Sequence, residues 1–240
     1  MTDAMRQDVT IEGPDGRFSG YFSTPSGKPA AGLVLMQYIC GVNAVMRTLA
    51  DRFAAQGYAV VVPDLFWRQE PNVRLMDDPT KPSPDEQRKA LALNAGFNDE
   101  LGVRDLKSTL AWLRERPECN GRAGTLGYCL GGRTAYLMAT RSDADCNVGY
   151  YGVALEQYLG EAHAIHKPLL LHIAGRDALS SDTARSQIDA ALTPIPGVEL
   201  ELYPEAGHAF AHLPGPNYRP DDAKRADTRS LAFLKQYLGR

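Results

Sequence analysis

Short apolar runs alternate with longer amphipathic segments over nearly the whole chain, and this alternation restricts the possible folds more than any other feature. Runs such as Ala31–Gln37 and Ala59–Pro63 are apolar at successive positions, as strands buried on both faces are. Further strands are predicted at Arg122–Tyr128, Cys146–Gly152, Pro168–Ala174 and Val198–Tyr203. Helical spacing marks Asn43–Gln56, which Gly57 would stop, and Asp85–Arg116 in two pieces ending before Pro117. It also marks Leu130–Arg141, Ser181–Ala191 and Asp222–Leu238. Val9–Gly13 and Phe18–Ser23 read as an N-terminal hairpin turning at Gly13-Pro14-Asp15-Gly16. Strand and helix in regular succession predict an α/β fold: one mostly parallel sheet with helices on both faces.

With no repeat, low-complexity tract or flexible linker, residues 1–240 are expected to form a single domain, a usual length for α/β folds. Two proline-bearing polar stretches, Pro71–Pro84 and Leu213–Asp222, read as surface loops. A net charge of −3 offers no electrostatic footing for nucleic acid or an anionic membrane. Residues 1–13 lack the apolar core of a secretory signal, and Ala30–Met36 is too short to span a bilayer. A soluble, cytoplasmic protein is expected. Cys40, Cys119, Cys129 and Cys146 form no CxxC pair and are expected to be free thiols.

Cys129 stands apart. In Gly127-Tyr128-Cys129-Leu130-Gly131-Gly132, an apolar strand ends, a nucleophilic side chain is flanked by glycines two positions either side, and a helix follows. This is the spacing of a nucleophile elbow, with sulfur where a hydroxyl is commoner. The sharp turn requires close backbone passage, and the helix N-terminus favours thiolate over thiol. Downstream, one strand ends in Gly175-Arg176-Asp177 and the next in Glu205-Ala206-Gly207-His208. The order nucleophile, acid, histidine is that of the α/β-hydrolases, and both residues fall beyond strand carboxyl ends, where open α/β sheets place their sites.

Taken singly, each residue has a plainer reading. Cys129 fits an inert cysteine in a tight turn, Asp177 a turn or cap residue, and His208 a surface-loop histidine. Their joint placement favours a catalytic triad. The remaining histidines, His163, His166, His172 and His212, complete no ligand set, so no metal is expected. Neither a P-loop nor a GxGxxG turn is present, so no nucleotide cofactor is expected either.

The chain resembles the dienelactone hydrolase family along nearly its whole length. The likeness rests on Gln37-Tyr38-Ile39-Cys40-Gly41-Val42-Asn43, on Val62-Pro63-Asp64-Leu65, on the elbow, on Val148-Gly149-Tyr150-Tyr151-Gly152-Val153 and on Glu205-Ala206-Gly207-His208-Ala209-Phe210. It implies an α/β-hydrolase fold, a cofactor-free hydrolase of small carboxylic esters or lactones, and Cys129, Asp177 and His208 as the triad. It further implies an oxyanion hole from the backbone N–H groups of Ile39 and Leu130. Around the substrate it implies Tyr38, Gln87, Arg88, Tyr151, Phe210 and His212. A monomer or weak homo-oligomer is expected. Members that cleave dienelactone carry a glutamate at the position of Tyr38 and two arginines around the substrate carboxylate. Here Gln87, with Arg88 adjacent, and His212 stand at those positions. A tyrosine is no carboxylate base, and neither glutamine nor neutral histidine replaces an arginine fork. An acyltransferase or thioesterase with the same triad, or a ligand-binding scaffold without activity, are the alternatives.

Overall fold

Gly13 and Gly16 bracket the first turn, Gly16 at φ 144°, and fold β1 (Ala4–Gly13) back on β2 (Gly16–Pro25) in an antiparallel pair. The computed structural model describes residues 4–78, 81, 83–211 and 215–239. The chain divides into two compact units at Gly124/Thr125. In the first, β2 lies antiparallel to β4 (Tyr58–Pro63), and β4 parallel to β3 (Ala30–Met36). Leu33, Val34, Leu35 and Met36 are all fully buried. Each such side chain stabilises the fold by roughly 1.5–3 kcal/mol, which is why a run without polar alternation forms a strand buried on both faces.

Helix α1 (Ala44–Ala55) starts where the Asn43 side chain accepts from the Met46 N–H, and it ends before Gly57, whose φ of 90° suits glycine. The segment predicted as two helical pieces is α2 (Pro84–Ala95) and α3 (Asp99–Arg114), capped by Ser83 and Asn98. Pro84 thus belongs to a helix, at the first-turn position that proline suits, and not to the loop read from the sequence. Phe66 is buried, and Trp67 stacks on Phe18 while its indole N–H donates to buried Asp105 at 2.8 Å. Both are packing residues.

The second unit begins within β5 (Cys119–Tyr128), which pairs in parallel with β6 (Asn147–Tyr150), then β7 (Leu169–Ala174) and β8 (Val198–Tyr203). Strand order is β1-β2-β4-β3 in the first unit and β5-β6-β7-β8 in the second. Helices α4 (Leu130–Arg141), α5 (Asp182–Leu192) and α6 (Pro220–Leu238) complete this unit. Asp222, where the last helix was predicted to begin, lies in the first turn of α6, which starts two residues earlier at Pro220. β6 is shorter than expected because Tyr151 turns to a positive φ of 39°. After it comes a 3-10 segment, Leu155–Ala164, that the sequence reading left unassigned. Only Leu155 and Ala162 are buried in it, so the stretch carries no apolar period. Among the described residues no helix is long and apolar enough to cross a membrane.

Candidate active site

Cys129 occupies the turn between β5 and α4 at φ 58°, ψ −111°, a strained conformation for a residue with a side chain. Such strain costs of order 1–3 kcal/mol and persists where surrounding contacts impose it. Here they are backbone contacts. A Cβ on Gly127 would lie 2.2 Å from the Gly131 carbonyl oxygen, and one on Gly132 2.3 Å from that of Tyr150. The Cys129 N–H donates to the Tyr150 carbonyl at 3.0 Å, tying the elbow to the end of β6. Although it stands at the N-cap of α4, Cys129 makes no side-chain cap, and it remains partly accessible. The other three cysteines are buried and form no disulfide.

Asp177 and His208 leave the ends of β7 and β8 through two loops laced together. Gly175 N–H donates to the Tyr203 carbonyl at 2.9 Å and Arg176 N–H to that of Ala206 at 2.8 Å. The carboxylate of Asp177 is buried, with Oδ1 accepting from Leu179 N–H at 2.8 Å and Oδ2 facing His208 Nδ1 at 2.8 Å. The His208 side chain also hydrogen-bonds to Cys129. The three residues singled out from the sequence therefore form one hydrogen-bonded series. Burial pulls the His208 pKa down, but hydrogen bonds to Asp177 and Cys129, with the electrostatic pull of both, outweigh it. The result lifts the imidazole from its ordinary 6.5 to about 10.

Other expected residues are placed as follows. Tyr151 lies edge-to-face against His208, ring centroids 5.1 Å apart, and Phe210 packs on Tyr151 at 5.4 Å. Both rings are buried. Leu130, whose N–H has no acceptor within the helix, is the first residue of α4, and Ile39 lies partly exposed in the turn after β3. Tyr38 precedes it, its hydroxyl accepting from Asn43 Nδ2 at 2.8 Å. Burial pushes its phenol far above the usual value, so it stays protonated. Gln87 and Arg88 are exposed on α2, where Arg88 pairs with Asp85. His212 lies outside the described residues.

Asn217 is a contact the sequence reading missed: its Nδ2 donates to the His208 carbonyl at 3.0 Å. Nothing in the local pattern of residues 215–219 announces it. Among the described residues no group of three or more His, Cys, Asp or Glu side chains could hold a metal ion.

A nucleophilic side chain on a strained strand-to-helix elbow, followed in chain order by an acid and a histidine beyond later strands, defines the class: an α/β-hydrolase. The fold agrees. The chain superposes on the solved structure of a dienelactone hydrolase-like promiscuous phosphotriesterase from metagenomic libraries with a TM-score of 0.80 at 19% identity, covering 98% of this chain and 99% of that one. In sequence it is 38% identical to carboxymethylenebutenolidase 1 of Cupriavidus pinatubonensis, over 91% of this chain and 92% of the relative. It is 37% identical to the carboxymethylenebutenolidase of Pseudomonas putida, over 96% of each. The model of the dienelactone hydrolase family matches residues 18–238, and the chain belongs to that family. It is an enzyme that hydrolyses ester or lactone bonds of small molecules.

Proposed function

We propose that the enzyme works through an acyl-enzyme on Cys129, with His208 as acid and base and Asp177 as its orienting partner. The observation that carries this is the hydrogen-bonded series from sulfur through imidazole to carboxylate. The Cys129 thiolate attacks the carbonyl carbon, and the carbonyl electron pair moves to oxygen. The backbone N–H of Leu130, in the first turn of α4, stabilises that oxyanion, worth about 3 kcal/mol. Collapse expels the alcohol oxygen, which takes its proton from imidazolium His208 and leaves a thioester. Water then attacks, His208 takes its proton, and the acid departs as the thiolate–imidazolium pair is restored. Asp177 holds Nδ1–H and so presents Nε2 to the reaction.

A histidine that keeps its proton to about pH 10 is a cation throughout the neutral range and suits a resting thiolate–imidazolium pair. Iodoacetamide is therefore expected to label Cys129 rapidly at pH 7, and labelling is expected to be lost in His208→Ala. Slow labelling of the wild type, or equal rates in both, would contradict the pair.

The preferred substrates on this reading are uncharged esters and lactones. Position 38 holds a protonated tyrosine instead of a carboxylate, and Arg88 is paired with Asp85 on an exposed helix face. Turnover of a dienelactone carboxylate is expected to fall below that of uncharged p-nitrophenyl esters. A strong preference for the dienelactone would refute this.

We also place the protein in the cytoplasm, as a monomer or weak homo-oligomer, with residues 1–240 acting as one catalytic domain. The four free thiols suit a reducing compartment. The exposed large apolar side chains Met5, Leu91, Leu179 and Leu202 are distributed over separate elements, which suits weak self-association at most. One family match running from 18 to 238 supports the single-domain reading.

A further inference from the structure

Behind the triad lies a second polar series that the mechanism does not use. His172, on β7, is wholly buried, with Nδ1 2.9 Å from the Tyr203 hydroxyl and Nε2 2.8 Å from Ser230 Oγ. Ser230 Oγ lies 2.7 Å from the Tyr150 hydroxyl, which donates to Asp227 Oδ1 at 3.4 Å. Arg225 hydrogen-bonds to the Tyr203 phenol from the other end, its guanidinium 4.1 Å from the ring centroid. Burial, reinforced by the charges of Arg229 and Arg225, pushes the His172 pKa down to about 3, so the ring is neutral and carries one N–H.

The direction of every bond then follows. Tyr150 donates to Asp227 and so accepts from Ser230. The Ser230 hydroxyl is thereby committed and accepts from His172 Nε2–H. His172 Nδ1 is left bare, and the Tyr203 hydroxyl donates to it. A single directed chain runs from Arg225 to Asp227 through Tyr203 of β8, His172 of β7, Ser230 of α6 and Tyr150 of β6. Each member polarises the next.

Tyr203 is where this chain meets the site. Its carbonyl accepts from Gly175 N–H at 2.9 Å, at the root of the Asp177 loop, and from Ala206 N–H at 3.0 Å, at the root of the His208 loop. Its ring packs on Phe210 at 4.6 Å, Phe210 on Tyr151 at 5.4 Å, and Tyr151 on His208 at 5.1 Å. The Tyr151 N–H in turn donates to the His172 carbonyl at 2.8 Å. We infer that Tyr203, latched through its hydroxyl to His172, is a positioning residue that fixes Asp177 and His208 relative to each other. It anchors both of their loops and the aromatic stack beside the imidazole. This inference rests on the reading of His208 as the catalytic base.

Tyr203→Phe keeps the ring and the backbone bonds and removes only the latch. On p-nitrophenyl acetate, kcat is expected to fall roughly tenfold with KM within about twofold, because small misplacements at a reacting centre cost rate more than binding. In the pH dependence of Cys129 alkylation, the limb due to His208, whose wild-type pKa is about 10, is expected to move down toward 6.5 as its hydrogen bond to Asp177 loosens. The groups facing that imidazole are Asp177, Cys129 and Tyr151. His172→Phe is expected to reproduce both effects, and the double variant to add nothing to either single one. If Tyr203→Phe does not fold, Ser230→Ala cuts the same chain one link further on and is expected to shift kcat and the alkylation limb in the same direction. An unchanged kcat and pH profile in a folded Tyr203→Phe or Ser230→Ala, beside an inactive His208→Ala, overturns the latch. Full activity in His208→Ala instead sinks the base assignment on which it rests.

Discussion

Replacing Cys129 with alanine is expected to remove the burst of p-nitrophenol from p-nitrophenyl acetate and to lower kcat by about 10⁴-fold or more. The reason is local. Cys129 is partly accessible and makes no helix cap, and the other three thiols, Cys40, Cys119 and Cys146, are buried. Without sulfur at the elbow there is no nucleophile to carry the acyl group, and only oxyanion stabilisation and substrate binding remain. Stability should change little, since alanine meets the same positive φ of 58° and the same neighbouring glycines. A stoichiometric burst from folded Cys129→Ala would show that acylation takes place elsewhere.

Asp177→Asn is expected to lower kcat by about 10³-fold or more while leaving the fold intact. Oδ1 of Asp177 accepts from the Leu179 N–H at 2.8 Å, and that bond fixes which way an amide would face. The asparagine oxygen would stay on Leu179, and its NH₂ would point at His208 Nδ1. The imidazole would then have to accept at Nδ1 and carry its proton on Nε2, where the proton of the thiol must go. Nucleophile, base and their spacing would all survive, with the tautomer reversed. A second readout has a definite sign. His208 titrates at about 10 in the fold against its ordinary 6.5, so the stability it contributes is fully present below pH 6.5 and is lost as pH rises through about 10. Urea unfolding at both ends of that window is expected to show a smaller loss in Asp177→Asn than in the wild type. An equal loss, with kcat preserved, would remove Asp177 from the proposed role.

The regular elements were legible because their causes are local. Leu130–Arg141 is helical as its spacing predicts, and the buried runs around residues 31–37 and 59–63 are strands. The elbow was legible for a different reason: two side-chain-free positions around a reactive group are an uncommon local requirement, and the Gly127 contact shows what imposes it. What escaped was whatever depends on long-range neighbours. His172 reads in sequence as one more histidine in an apolar strand. Its partners, Tyr203 and Ser230, lie 31 and 58 positions away and become partners only when β8 and α6 are in place. The burial of the Tyr151 and Phe210 rings escaped too, because sequence position does not reveal which way a ring turns at or just after a positive-φ residue.

The crowding of Gly127 against the Gly131 carbonyl, and of Gly132 against that of Tyr150, means that the aim of residue 129 is set by main chain on either side of it. An oxygen in place of sulfur would depart from the same spot along the same line. The kind of atom that attacks is thus exchangeable at this position in a single substitution, whereas its direction is held by contacts that no single side chain provides.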